Sequence, residues 1–216
     1  EHDAEYTATD ITYDEFGHAT FHVLHNGEDL GTCSLKVPGI HNVSNALASI
    51  AAGQLLDLST EVIFDGLKDF GGTDRRFQYK GKLGDITVID DYAHHPDEIR
   101  ATIKTAKHYP HKKMWVVFQP HTYTRTKALL PEFCKALSEA DAVVLADIYA
   151  AREKDTLGIS SKDVMKGIKK LGTEAYYFPS FSEIENFLLE NCSTGDLLIT
   201  MGAGDVVKIG EHLLGN

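Results

Sequence analysis

Hydrophobic and polar positions follow two different rhythms along the chain. Between residues 5 and 37 apolar positions alternate with polar or charged ones, the period-two signature of half-buried strands, over residues 7–13, 19–24 and 29–37. Asn26-Gly27 between the second and third runs is a tight-turn dipeptide, so a short antiparallel sheet is expected. Pro38-Gly39 closes it. A helix rich in Ala, Leu and Ile is predicted over 42–56 and a second over 60–70, ended by Gly71-Gly72. From residue 81 the rhythm changes to short continuous apolar runs at 86–89, 114–118, 142–145, 175–178 and 197–200. Helical patterns at 96–109, 127–140, 161–171, 181–191 and 205–214 alternate with them. Such alternation predicts right-handed crossovers and a mostly parallel sheet covered on both faces. Ligands bind at the carboxyl ends of such strands, so the loops at 90–96, 119–126, 147–155 and 201–205 are expected to share one edge. The expected architecture is therefore α/β in two parts, with a boundary near 77–82: a first part with a short antiparallel sheet, and a second with a mostly parallel one.

The 43% hydrophobic and 25% charged fractions of the 216 residues fit a folded globular protein. No apolar run approaches the roughly 18 residues of a membrane span. A net charge of −11 argues against non-specific binding to nucleic acid. Yet no acid lies between Glu98 and Glu132, a stretch holding Arg100, Lys104, Lys107, Lys112, Lys113, Arg125 and Lys127. A local basic stretch on an acidic protein can steer an anionic small molecule, and a solvated helix face accounts equally well for most of the lysines. Cys33, Cys134 and Cys192 lack both a disulfide framework and zinc-ligand spacing, which points to a reducing, cytoplasmic compartment. The chain opens at Glu1 rather than Met, and is expected to be a segment of something longer.

Five stretches carry candidate chemistry. Asn42 and Asn45, three residues apart on one helix face, offer amides that match a purine edge; helix capping by Asn42 is the competing reading. Of Arg75 and Arg76, beside the predicted boundary, one can face an anion with its planar fork, and an interdomain ion pair is the alternative. The run Asp90-Asp91-Tyr92-Ala93-His94-His95-Pro96 follows an apolar strand, and Pro96 suits the first position of a helix. A carboxylate there can hold ribose hydroxyls, and a histidine can contact an anion or act as a base. Gln119-Pro120-His121-Thr122-Tyr123-Thr124-Arg125 follows the next strand and suits a carboxylate or phosphate. Met201-Gly202-Ala203-Gly204-Asp205 is a strand–glycine–helix junction without the third glycine of a dinucleotide fingerprint. No phosphate-cradling Gly-x4-Gly-Lys-Ser/Thr occurs in the sequence.

Taken with His41-Asn42-Val43-Ser44-Asn45-Ala46, Arg75-Arg76-Phe77 and Asp147-Ile148-Tyr149-Ala150-Ala151-Arg152-Glu153, these stretches occur in an order that resembles the Mur ligases, the ATP-dependent amide ligases of peptidoglycan synthesis. The resemblance implies the end of a central ATP-binding domain over 1–78 and a complete carboxyl-terminal domain of dinucleotide-type (Rossmann-like) fold over 79–216. It implies a ligase that joins L-alanine to UDP-N-acetylmuramate through an acyl phosphate, using ATP and Mg2+ whose ligands lie upstream, so that this segment alone is inactive. It further implies Asn42 and Asn45 at adenine, Arg76 at the nucleotide and Asp91 at the ribose. Tyr92, His94, His121 and Arg125 would line the amino-acid side, with His94 and Arg125 nearest the chemistry. Many members carry arginine where Thr122 stands, which leaves Arg125 as the main cation there. Tyr92 rather than Phe favours L-alanine over the alternative of a ready-made tripeptide. A non-catalytic nucleotide-binding module is the alternative from another class.

Overall fold

The computed structural model describes residues 4–216. They form two compact units. The first runs to Thr73 and includes Lys107–Tyr109; the second comprises Asp74–Ala106 and Pro110–Asn216. The division falls before the expected 78/79 because the residues just after it are bonded to the second unit. Arg75 pairs with Asp90, the Phe77 amide donates to Asp91, and the Tyr92 amide donates to the Arg75 carbonyl.

In the first unit β1 (Tyr6–Tyr13), β2 (His18–His25) and β3 (Glu28–Pro38) form an antiparallel sheet in that order. Period two sends Ala19, Phe21 and Val23 of β2 and Cys33 and Leu35 of β3 into one core. Val43, Ala46 and Ile50 meet them from α1 (Ile40–Leu55), at the three-and-four spacing of one helix face, and Ile63 from α2 (Thr60–Asp69). Ser59 caps α2 by accepting the Val62 amide. Asn42 is not the cap of α1. The helix starts earlier, with Gly39 at the N-cap, and the side-chain Nδ2 of Asn42 donates back to the Pro38 carbonyl at 2.8 Å.

The second unit is a six-stranded sheet built from β4 (Gln78–Leu83), β5 (Ile86–Asp91), β6 (Met114–Phe118), β7 (Ala142–Leu145), β8 (Glu174–Tyr177) and β9 (Leu197–Met201). Its order is β4-β5-β9-β6-β7-β8, parallel except for the antiparallel β4–β5 edge pair. Val88, Trp115, Val117, Val144 and Leu198 face α7 (Phe181–Asn191) and α8 (Val207–Leu213). The alternate residues are equally buried, with Phe118 set 5.7 Å from the Phe133 ring of α5 (Leu130–Leu137). α3 (Pro96–Ala106) and α6 (Ser161–Lys170) also pack on α5. The helix expected over 127–140 is two helices, α4 (Tyr123–Ala128) and α5, broken at Leu129. The cause is Pro131, whose ring would strike the carbonyl four residues back in a continuous helix. No described helix is long and apolar enough to cross a membrane.

Candidate functional site

Strand register brings the predicted loops to one edge. Asp91 pairs with Met201, Met201 with Phe118, and Phe118 with Leu145, so four parallel strands end side by side. β9 lies between β5 and β6, although β5 and β6 follow one another along the chain, and this opens a crevice where ligands of such sheets bind. Gly202 crosses it at φ 146°, and a Cβ there would sit 2.8 Å from the Gln119 carbonyl oxygen. Only glycine fits both constraints.

The loop after β5 is held by carboxylates. Asp90 is fully buried; it accepts from Arg75 Nε at 2.9 Å and from the Thr200 hydroxyl at 2.7 Å. Arg75 Nη2 also donates to the Gly202 carbonyl at 2.7 Å, which ties the β5 and β9 loops together. Arg75 and Phe77 both adopt left-handed backbone, at φ 60° and 45°, on either side of Arg76. This sparsely populated conformation is costly for bulky residues, and the bonds to Asp90 and Asp91 hold it. Arg76 is exposed, 5.8 Å from the Tyr92 ring, with Arg75 at 4.9 Å from the same ring. Asp91 is buried and takes one backbone N–H on each oxygen, from Ala93 and from Phe77, both at 2.8 Å. Burial pushes its carboxyl up, against the opposing pull of those amides, Thr102 and Arg76. His94 sits edge-on to Tyr92 at 5.4 Å, its Nδ1 3.0 Å from the Tyr92 carbonyl. Glu98 fixes this turn by accepting the His94 and His95 amides at 2.9 and 3.2 Å, the reach-back half of a capping box at the start of α3.

The loop after β6 presents unpartnered polar atoms. Gln119 Oε1, His121 Nδ1 and Arg125 Nη1 are buried and have no hydrogen-bond partner, an uncommon and costly condition at one loop. His121 stacks on Tyr149 at 5.6 Å and meets His94 edge-on at 6.1 Å. Burial, and then the Arg125 and His94 charges, push the His121 pKa down against the pull of Glu153, which favours the neutral imidazole. One cationic fork and one neutral imidazole suit a carboxylate-bearing small molecule.

In the first unit the Asn45 side chain donates to Asn42 Oδ1 at 3.0 Å, so the two amides lie on one face as their spacing predicts. Among the described residues no group of three His, Cys, Asp or Glu side chains is arranged to hold a metal ion. Arg75 and Gln119 lie inside motifs that the sequence marks, but the bonds by which Arg75 and Glu98 build the site, and the unpartnered Gln119 oxygen, emerge only from the structure. Glu98 had a usable signal, since it stands three residues after the His95 that precedes Pro96.

Residues 75–204 match the model described as Mur ligase, glutamate ligase domain, more than half of the chain and nearly all of the second unit. The chain belongs to the Mur ligase family. It is 61% identical over 209 residues to the UDP-N-acetylmuramate–L-alanine ligase of Lachnospira eligens, covering 97% of this chain and 46% of the relative. The ligase of the same name from Acetivibrio thermocellus is 53% identical, over 98% of this chain and 45% of its own length. Among solved structures, the UDP-N-acetylmuramate–alanine ligase of Thermotoga maritima superposes with a TM-score of 0.83 at 34% identity, covering 98% of this chain and 45% of that one. The chain thus spans less than half the length of the ligases it matches. Within the Mur ligase family, the β5 and β6 loops described above hold two of the motifs that carried the resemblance.

Proposed function

We propose that this chain is part of an ATP-dependent ligase that joins L-alanine to UDP-N-acetylmuramate in cytoplasmic peptidoglycan synthesis. The first unit is read as the end of the central nucleotide-binding domain and the second as the carboxyl-terminal domain. The observation that carries the assignment of the amino-acid side is the buried, unpartnered Arg125 Nη1 beside the unpartnered His121 Nδ1, at the sheet edge where ligands gather.

The Asn42–Asn45 face offers donors and acceptors that fit an adenine edge. Exposed Arg76 offers charge to a phosphate, and Asp91, which already accepts from Phe77, Ala93 and Thr102, retains acceptor capacity for a ribose hydroxyl. Each of these groups matches the chemistry of one part of a nucleotide. Mg2+ ligands and the phosphate-cradling loop are assigned to the part of the ligase outside this chain. ATP supplies the phosphoryl group that activates the muramoyl carboxylate as an acyl phosphate. The residues of this chain then act by positioning. Arg125 grips the carboxylate of L-alanine with its fork, Tyr92 and His94 wall the opposite side, and neutral His121 accepts a hydrogen bond from the incoming amine rather than repelling it.

In the full-length ligase, ADP release is expected to require L-alanine and UDP-N-acetylmuramate together, and this chain alone should release none. Arg125→Lys keeps the charge but loses the fork. It should raise the KM for L-alanine and lower kcat, with a total loss of roughly 1–3 kcal/mol, while the KM for ATP stays put. A change confined to the ATP constant would move Arg125 to the nucleotide. Turnover with a tripeptide but not with L-alanine would replace the amino-acid assignment by the recycling reaction, and binding of ATP with no turnover of either would favour a regulatory module.

A further inference from the structure

α4 begins without a cap of its own. Thr122 holds the N-cap position at φ 66° and ψ 146°, and its side chain bonds none of the helix amides. The missing acceptor comes from another loop. Glu153, between β7 and α6, accepts the Thr124 amide on Oε2 at 2.9 Å and the Thr124 hydroxyl on Oε1. A carboxylate suits this place because first-turn amides have no acceptor inside the helix and carry the positive end of its dipole. The same two loops are laced by their backbones: the Tyr149 amide donates to the Pro120 carbonyl at 2.8 Å and the Thr122 amide to the Tyr149 carbonyl at 2.9 Å.

Within α4 the turn is otherwise held by Thr126, whose hydroxyl and amide both donate to the Thr122 carbonyl, at 2.7 and 3.1 Å, and these bonds leave the first-turn amides without an acceptor in the helix. The helix has six residues, of which only Thr126 is buried, and a helix so short is marginal unless its surroundings hold it. Arg125 leaves this turn one residue after Thr124, and His121 stands one residue before the N-cap. The aim of both depends on where that turn sits.

We propose that Glu153 is a positioning residue of the amino-acid pocket, capping α4 from the neighbouring loop and so aiming Arg125 and His121 at the substrate carboxylate. This rests on the functional reading above. Glu153 touches neither substrate nor reacting atoms. Its negative charge also faces His121, whose other charged neighbours are Arg125 and His94.

Two variants separate cap from charge. Glu153→Gln keeps a carbonyl acceptor for Thr124, whereas Glu153→Ala keeps none. In the full-length ligase, Glu153→Ala should raise the KM for L-alanine roughly fivefold to tenfold, the scale of one lost helix cap, with the KM for ATP unchanged and Glu153→Gln recovering most of the loss. In NMR spectra of this chain, the Thr124 amide should lose its protection from exchange in the Ala variant and keep it in the Gln variant. The His121 pKa should fall in both, because both remove the charge. A Glu153→Ala ligase with lost Thr124 protection and an unchanged L-alanine KM overturns the proposal, as does an equal rise in both constants. Absence of L-alanine-dependent ADP release from the unsubstituted ligase would overturn the functional reading and take this proposal with it.

Discussion

Asp91 and Glu98 are carboxylates of one short segment, and each accepts two backbone N–H groups. Residue type and position at a strand end were legible in the sequence; the partners were not, because they come from Phe77 and from a turn whose shape depends on tertiary packing. The sequence therefore marks Asp91 as a ligand-facing group, and the structure adds that it also organises the loop it stands on. Glu98 carries the sharper consequence. Burial pushes its pKa up, but the His94 amide and charge, the His95 amide and the Arg76 charge outweigh this and hold it below the ordinary 4.5. A depressed acid stabilises the fold while ionised. The contribution is complete above pH 4.5, the value of the unfolded chain, and is lost as pH falls through the lower folded value. Glu98→Gln should therefore be less stable than the parent in urea at pH 7, and the gap should close in acid. A gap of equal size at both pH values would assign the effect to hydrogen bonds alone.

Elements with an unbroken hydrophobic period are where the sequence speaks most plainly. The runs at 114–118, 142–145 and 181–191 match β6, β7 and α7 to the residue. Two departures have separate causes. The helical pattern over 127–140 hid the break at Leu129 that Pro131 causes, since the apolar spacing continues through it. β4 escaped notice because Gln78, Lys80 and Lys82 give an edge strand little apolar signal, although the turn pair Gly84-Asp85 marks its hairpin with β5. Helix packing itself was not legible, and α5 against α6 shows why. A Cβ added to Gly167 of α6 would lie 2.2 Å from Cys134 Sγ of α5. Cys134 is buried, with its thiol toward the Val164 carbonyl, and has little room to turn. Helix propensity favours alanine over glycine by about 1 kcal/mol, whereas overpacking a tight interface costs about 1–3 kcal/mol. The clash should win. Gly167→Ala is expected to lower the midpoint of urea unfolding, and adding Cys134→Ala should restore part of it. An uncompensated gain in stability would show that the two helices can move apart freely.

At the scale of the whole molecule, the two rhythms of the sequence give each described unit a core of its own. One gathers Phe21, Val23, Leu35 and Ile50 around an antiparallel sheet; the other gathers Trp115, Val117, Ile184 and Leu198 around a parallel one. The period-two stretch and the strand–helix alternation predicted this much. They did not predict that the division falls ahead of Arg75, because backbone bonds and a partly buried ion pair hold Asp74–Phe77 to the second unit rather than any hydrophobic pattern. Each core must open for its own unit to unfold, and the single tryptophan distinguishes them. Trp115 is buried in the second unit, where its indole N–H donates to Asp196 at 3.0 Å, so its emission reports that unit alone. Far-UV circular dichroism reports both. Ile50 in α1 and Ile103 in α3 are both fully buried, and truncating such a residue to alanine typically costs about 2–5 kcal/mol. Ile50→Ala should therefore bring an early loss of dichroism in urea while the tryptophan transition keeps its midpoint. Ile103→Ala should lower the midpoint of the tryptophan transition itself. If Ile50→Ala shifted both signals by the same amount, the two units would be unfolding as one cooperative body, and the separation of their cores would carry no thermodynamic meaning.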